Sequence, residues 1–244
     1  MAVLRSINKQ LILATSDIHS PIYFDLFFTS LNKIDEIPCI FLLAGDIINK
    51  GKIENARPVF DLINNKFPEV KVIAVFGNDE YSEIWDELRK KYSNVTWLLD
   101  EYIVVECNKT KIAIVGTPGA IDKPTKWQLT HINGIQNYYQ NRVNKIKELL
   151  IEAKGKSDKV ILLSHYGLSS LTLKGEKPFA YSQLYSSKME KIISEIRPDV
   201  AIHGHAHKGK KFAILNNVPI YNVAIPLVKE VVKIKFKKTL MDLI

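Results

Sequence analysis

Three short, almost unbroken apolar runs, at residues 11–16, 39–44 and 70–76, recur through the first third of the chain, each followed by a segment with helical apolar spacing. A strand needs apolar residues on both its faces only when both faces are covered, and parallel strands need a crossover that is usually a helix. Helices are expected over residues 22–33, 54–66 and 82–92, the last with Ser82 as its N-cap. The alternation demands a parallel sheet with helices packed on it.

The later chain varies the theme. Residues 102–106 and 111–115 read as a hairpin about Asn108-Lys109-Thr110. Residues 135–153 and 187–196 read as helices, the second stopped by Pro198, and residues 160–163 and 200–203 as further buried strands. Two stretches, 116–130 and 167–182, read as long loops. Residues 211–215, 219–224 and 229–237 are expected as antiparallel strands joined by turns at Asn216-Asn217 and Ile225-Pro226. No linker or internal repeat divides the 244 residues, and candidate ligands lie in both halves. One domain, 1–244, is therefore expected: an α/β fold of two facing β-sheets with helices outside.

Composition narrows the setting. There is no long uncharged apolar span for a membrane helix, and residues 1–10 lack the apolar core of a secretory signal. Cys39 and Cys107 both lie beside apolar runs, without a close cysteine partner, so two buried thiols and a reducing, cytoplasmic location are expected. The net charge of +8 permits anionic partners, nucleic acid included, but the lysines are scattered and form no block interleaved with aromatics.

Chemistry concentrates at the ends of the apolar runs. Asp17-Ile18-His19, Gly45-Asp46, Gly77-Asn78-Asp79, Ser164-His165 and Gly204-His205-Ala206-His207 each follow one. Taken singly, Asp-x-His reads as a capping or solvent-exposed pair, Gly-Asp and Gly-Asn as turns, and a lone histidine as a hydrogen-bonded structural residue. Taken together they place carboxylate, amide and imidazole groups where α/β sheets bind ligands, beyond the carboxyl ends of the strands. That is a donor set for two adjacent divalent cations, a standard device for attacking phosphate esters.

The ordered set Asp-x-His, Gly-Asp, Gly-Asn, His and Gly-His-x-His, spanning Asp17 to His207, resembles the calcineurin-like metallophosphoesterase superfamily. The resemblance implies a four-layer αββα sandwich of two mixed β-sheets flanked by helices. It implies that Asp17, His19, Asp46 and His207 hold one metal and that Asp46, Asn78, His165 and His205 hold the other, with Asp46 bridging. Oxygen and imidazole donors suit Mn, Fe, Zn, Ni or Co, with Mn favoured. The implied reaction is hydrolysis of a phosphomonoester or phosphodiester by a hydroxide that the metals generate. The alternatives are a nuclease acting on DNA or RNA, against which no added duplex-holding domain follows His207, and a non-catalytic protein-binding scaffold of the same fold.

One position departs from that family. Its members usually carry Gly-Asn-His, whose histidine stabilises the transition state or protonates the leaving oxygen, whereas here Asp79 follows Asn78. Either Asp79 orients a metal-bound histidine while another group assists the leaving oxygen, with His131 the candidate, or the enzyme takes activated esters that need no acid. His203 is expected to be structural, Tyr166 to line the pocket or simply pack, and Trp127 and Tyr181 to stack on substrate or pack.

Overall fold

The computed structural model describes residues 11–236. The first three apolar runs become β1 (Ile12–Thr15), β2 (Ile40–Ala44) and β3 (Lys71–Val75), with α1 (Phe24–Asn32), α2 (Ala56–Lys66) and α3 (Trp85–Lys91) between and after them. A short β4 (Thr96–Leu98) follows. The predicted hairpin is β5 (Glu101–Cys107) with β6 (Thr110–Thr117). Then come α4 (Lys126–His131), α5 (Ile135–Lys156), β7 (Lys159–Ser164), α6 (Tyr181–Leu184), α7 (Ser187–Ile196) and β8 (Val200–His203). The described chain closes with β9 (Phe212–Leu215), β10 (Val218–Asn222), α8 (Ile225–Val228) and β11 (Val232–Ile234).

Two sheets result, ordered β11-β1-β2-β3-β4 and β5-β6-β7-β8-β10-β9. Strand alternation sorts their side chains into layers. Ile12, Ala14, Ile40, Leu42, Ile73 and Val75 of the first sheet share one core with Ile112, Ile114, Ile161, Leu163, Val200 and Ile202 of the second. The intervening residues point outward: Leu13, Phe41, Leu43 and Ala74 pack under α1 and α2, while Val115, Val160, Leu162 and Ala201 pack under α5 and α7. The architecture is thus helix, sheet, sheet, helix, as the sequence led one to expect. No helix among the described residues is long and apolar enough to cross a membrane.

Four local expectations need correction. Ser82 opens a 3-10 turn and makes no capping bond, so α3 starts only at Trp85. Within the stretch read as loop, α4 forms behind a capping box in which Thr125 accepts the Gln128 N–H and Gln128 accepts the Thr125 N–H. The last three strands are not one antiparallel set. β10 runs antiparallel to β9 across Asn216-Asn217, both at positive φ as a tight hairpin turn requires, yet lies parallel to β8. Pro226 then starts the short α8 rather than a turn, and the chain crosses to the first sheet, where β11 pairs antiparallel with β1. Lys237, the expected end of that strand, lies outside the described residues.

The cysteines are the fourth correction. Cys39 and Cys107 form a disulfide with Cα atoms 6.0 Å apart, so they are not the two free thiols expected. Cys39 leads into β2 and Cys107 ends β5, opposite the start of β6. The bond therefore joins the facing sheets at the end remote from the carboxyl ends of the parallel strands. It removes the argument for a reducing location that rested on unpaired cysteines.

Candidate metal centre

The expected ligands converge where the two sheets present the carboxyl ends of their parallel strands. Asp17 and His19 leave β1, Asp46 leaves β2 and Asn78 leaves β3; His165 leaves β7, and His205 and His207 leave β8. Backbone conformation marks the same residues. Asp17, His19, Asp46 and His205 have φ of 57°, 41°, 49° and 67°. Non-glycine residues rarely take left-handed φ, and such conformations persist where surrounding structure enforces them, often at functional sites.

Glycines let the loops touch. A Cβ on Gly77 would sit 2.2 Å from Oδ1 of Asp46, and one on Gly204 would sit 2.4 Å from Oδ2 of Asp17. Any side chain at either place would push the loops of one site apart.

Three donor groups emerge among the described residues: Asp17 with His19 and His207, Asp46 with His165 and His205, and His19 with Asp46 and Asp79, which shares a residue with each of the others; ligand atoms in each lie within 4.8 Å of one another. Oδ1 of Asp17 lies 2.8 Å from Nε2 of His207 and 3.8 Å from Nε2 of His19. Oδ2 of Asp46 stands between the first two groups, 3.5 Å from Nε2 of His19 and 3.4 Å from Nε2 of His165. Oδ1 of Asn78 lies 3.0 Å from that same His165 nitrogen.

Hydrogen bonds orient these side chains. Nδ1 of His165 donates to the Ala44 carbonyl at 2.9 Å, which turns the lone pair of Nε2 toward Asp46 and Asn78. Nδ1 of His19 likewise faces Oδ2 of Asp79 at 3.1 Å, leaving Nε2 for the cluster. Oδ2 of Asp17 accepts from Ser16 Oγ at 2.5 Å and from the His205 N–H at 2.9 Å. Oδ1 of Asp46 accepts the Asp79 N–H at 2.8 Å.

The electrostatics call for positive charge. Burial, with Glu80 and Asp17 alongside, pushes the Asp46 carboxyl well above its ordinary range. Burial also opposes ionisation of Asp17, but the His207 hydrogen bond and neighbouring imidazoles outweigh it and hold that carboxyl well below the usual range. Among the described residues, the basic side chains paired with the Asp17 and Asp46 carboxyl groups are histidines, not lysine or arginine. Burial lowers His165 and, with His165 nearby, brings His205 down to about 3, so both imidazoles are neutral and available as donors. Carboxylate oxygens, an amide oxygen and the neutral imidazoles of His165 and His205, with no lysine or arginine paired to them among the described residues, fit divalent cations.

The other residues singled out fall into place differently. His203 is buried, bonded to Thr172 Oγ1 at 2.8 Å and to the Gly204 carbonyl at 2.7 Å. Burial brings its pKa down to about 4 from 6.5. It is therefore neutral in the fold and charged in the unfolded chain between those values, so its contribution to stability, full above pH 6.5, is lost as pH falls toward 4. The unfolding free energies of wild type and His203→Gln, measured in urea, should accordingly draw together from pH 7 to pH 4.5, by up to about 1.4 kcal/mol per pH unit. A gap constant over that range would contradict a buried neutral imidazole.

Tyr166 packs its ring edge on His205 at 4.8 Å and contacts Tyr139, whose hydroxyl accepts from Gln128 at 3.0 Å. His131 does not join the cluster. It is exposed on α4, its ring stacks on Trp127 at 4.7 Å, and its Nδ1 lies 2.8 Å from the Trp127 carbonyl. Trp127 is exposed and Tyr181 half-buried.

Glu80 is the residue that sequence reasoning passed over. It is 1% exposed, and its carboxylate accepts the N–H groups of Asp46, Gly77 and Ile48 at 2.8, 2.7 and 3.0 Å. A glutamate after a Gly-Asn-Asp turn reads as solvent-facing. Its one sequence signal is its place, directly behind a ligand loop.

A four-layer αββα sandwich with a carboxylate, amide and imidazole cluster at its strand ends is the architecture of a metal-dependent phosphoric ester hydrolase. The chain belongs to the calcineurin-like phosphoesterase family, whose sequence profile matches residues 11–209. No curated protein sequence matches it. Among solved structures it is similar to the phosphopantetheinyl hydrolase of Mycobacterium tuberculosis, at 16% identity and TM-score 0.66, over 88% of this chain and 89% of that one. It is similar also to the NAD nucleotidase of Haemophilus influenzae (16% identity, TM-score 0.55, 93% of this chain and 49% of that one). A 5'-nucleotidase precursor of Thermus thermophilus gives 14% identity and TM-score 0.53, over 87% of this chain and 48% of that one. The chain spans about half the length of the two nucleotidases.

Proposed function

We propose that the protein hydrolyses a small phosphomonoester or phosphodiester with two divalent cations held between its sheets. One observation carries this reading. The Nε2 lone pair of His165 faces Oδ2 of Asp46 at 3.4 Å and Oδ1 of Asn78 at 3.0 Å, three metal-ligating atoms turned on one point with no lysine or arginine paired to them among the described residues. A cation resolves that arrangement. Asp17, His19, Asp46 and His207 would hold one ion, and Asp46, Asn78, His165 and His205 the other, with Mn as the metal proposed.

Bound there, the pair would lower the pKa of a shared water to near neutrality and neutralise phosphate oxygens as charge develops. The chain's own residues set the frame. Asp46 would lend its carboxylate to both positions, which would offset repulsion between the cations. Asp79 orients His19. Burial resists ionisation of Asp79, but its bonds to His19 and the Lys50 N–H hold it below the ordinary carboxylate range, so at neutral pH it has no proton to give a leaving group. Esters with acidic leaving groups should therefore be turned over fastest.

A panel of phosphomonoesters, linear and cyclic phosphodiesters, nucleotides and single-stranded oligonucleotides, assayed with Mn, Fe, Zn, Ni and Co, tests the function. Metal-dependent turnover of a small aryl ester is the expected result. Protein that binds metal yet cleaves no member of the panel would overturn it, and preferential oligonucleotide cleavage would make it a nuclease.

Asp79→Ala checks the role of Asp79. Removing a group that orients a ligand should weaken Mn binding by about 10–100-fold. Unchanged Mn affinity, with a loss confined to esters of poor leaving groups, would instead make Asp79 the acid.

A further inference from the structure

We propose that Glu80 is a positioning residue that sets the bridging carboxylate of Asp46; this rests on the dinuclear reading above. The argument begins with where its oxygens go. Oε2 accepts two N–H groups, from Asp46 at 2.8 Å and Gly77 at 2.7 Å, and Oε1 accepts that of Ile48 at 3.0 Å. Asp46 and Ile48 belong to the loop after β2, and Gly77 to the loop after β3. One side chain thus ties together the loops that carry Asp46 and Asn78.

Burying a carboxylate is costly unless hydrogen bonds replace its water. Glu80 forms no ion pair with a lysine or arginine among the described residues, and backbone donors stand in for one. A single neutral oxygen could not serve three converging donors, whereas a carboxylate has two oxygens and accepts strongly from N–H groups.

The consequence reaches the side chain of Asp46. Its backbone sits at φ 49°, a conformation that its own N–H bond to Glu80 helps to hold. In that pose Oδ1 of Asp46 accepts the Asp79 N–H at 2.8 Å, and Oδ2 is left to face His19 at 3.5 Å and His165 at 3.4 Å. Glu80 is itself anchored from behind. Its carbonyl accepts the Trp85 indole N–H at 2.7 Å, and that indole stacks on Phe76 at 4.8 Å. Among the described residues the carboxylate hydrogen-bonds backbone N–H groups rather than a candidate ligand side chain, so it positions Asp46 through the backbone, while its charge also bears on the Asp46 carboxyl.

Glu80→Gln keeps the shape but turns an N–H₂ group against backbone N–H donors. Wild type and variant, both stripped of metal, are titrated with Mn by calorimetry. They are then assayed on bis-p-nitrophenyl phosphate, and amide exchange at Asp46, Ile48 and Gly77 is followed by NMR. The variant should bind Mn about 10–100-fold more weakly, the range for groups that support metal ligands. Its kcat should fall more than KM changes, and the three amides should exchange faster. Trp85→Phe, which frees the Glu80 carbonyl and leaves the carboxylate in place, should shift Mn affinity the same way by less, and it keeps the test open where Glu80→Gln does not fold.

Folded variants with a lower melting temperature but wild-type Mn affinity and kcat would overturn the proposal and leave Glu80 a stabilising residue only. Wild-type protein that takes up no Mn at all would overturn the dinuclear reading itself, which separates the two failures.

Discussion

Asp46→Asn should lower turnover of an aryl phosphodiester by at least about 10²–10³-fold, the size of losing one preorganised electrostatic contact, while the metal-free protein stays folded. Asparagine keeps an oxygen for the Asp79 N–H, which Asp46 now binds at 2.8 Å. What it removes is the negative charge shared between the two cation positions. Removing that charge should not weaken the metal-free fold. Burial and the neighbouring Glu80 and Asp17 already push the Asp46 carboxyl upward, so its ionised form is an electrostatic burden there. The urea midpoint of metal-free Asp46→Asn should therefore equal or exceed that of wild type. Unchanged hydrolysis would remove Asp46 from the proposed bridge, and a large fall in the midpoint would contradict a cluster held together under repulsion.

Replacing both Cys39 and Cys107 by serine should have the largest effect on stability. The bond closes a loop with a sequence separation of 68 residues. A cross-link of that span removes loop-closure entropy from the unfolded chain worth about 4 kcal/mol in the entropic account. The double variant, or wild type in reductant, should unfold at a correspondingly lower urea concentration, while turnover at 25 °C changes little because the bond lies at the end of the sandwich away from the ligands. Equal midpoints with and without reductant would show that the bond does not carry this constraint.

What the sequence revealed depended on range. β1, β2 and β3 were legible because a strand buried on both faces must be apolar throughout, and their residues are indeed buried, the exposed Lys71 at the start of β3 excepted. The geometry also brings together all seven expected ligands, since each is a recognisable donor type set just past such a strand. Partners that meet only in space were not legible. Cys39 and Cys107 lie on different sheets, and nothing local to either points to the other. β11 crosses to the first sheet because α8 diverts the chain, whereas its residues alone suit any edge strand. Glu80 looks like a surface residue until three backbone N–H groups from two loops surround it. The capping box of Thr125 and Gln128 is a different case. Its signal stood in the sequence, masked by the prolines and glycines around it.

The division of the ligand cluster has a mechanical consequence. Asp17, His19, Asp46 and Asn78 hang from the first sheet, and His165, His205 and His207 from the second. Ions held by both sets would rivet the two layers at one end, as the disulfide does at the other. Catalytic metal would then also be structural metal, and resistance to unfolding would climb with the logarithm of free metal concentration once the sites begin to fill. A chelator would loosen the sandwich at the mouth of the site while the far end stayed fastened.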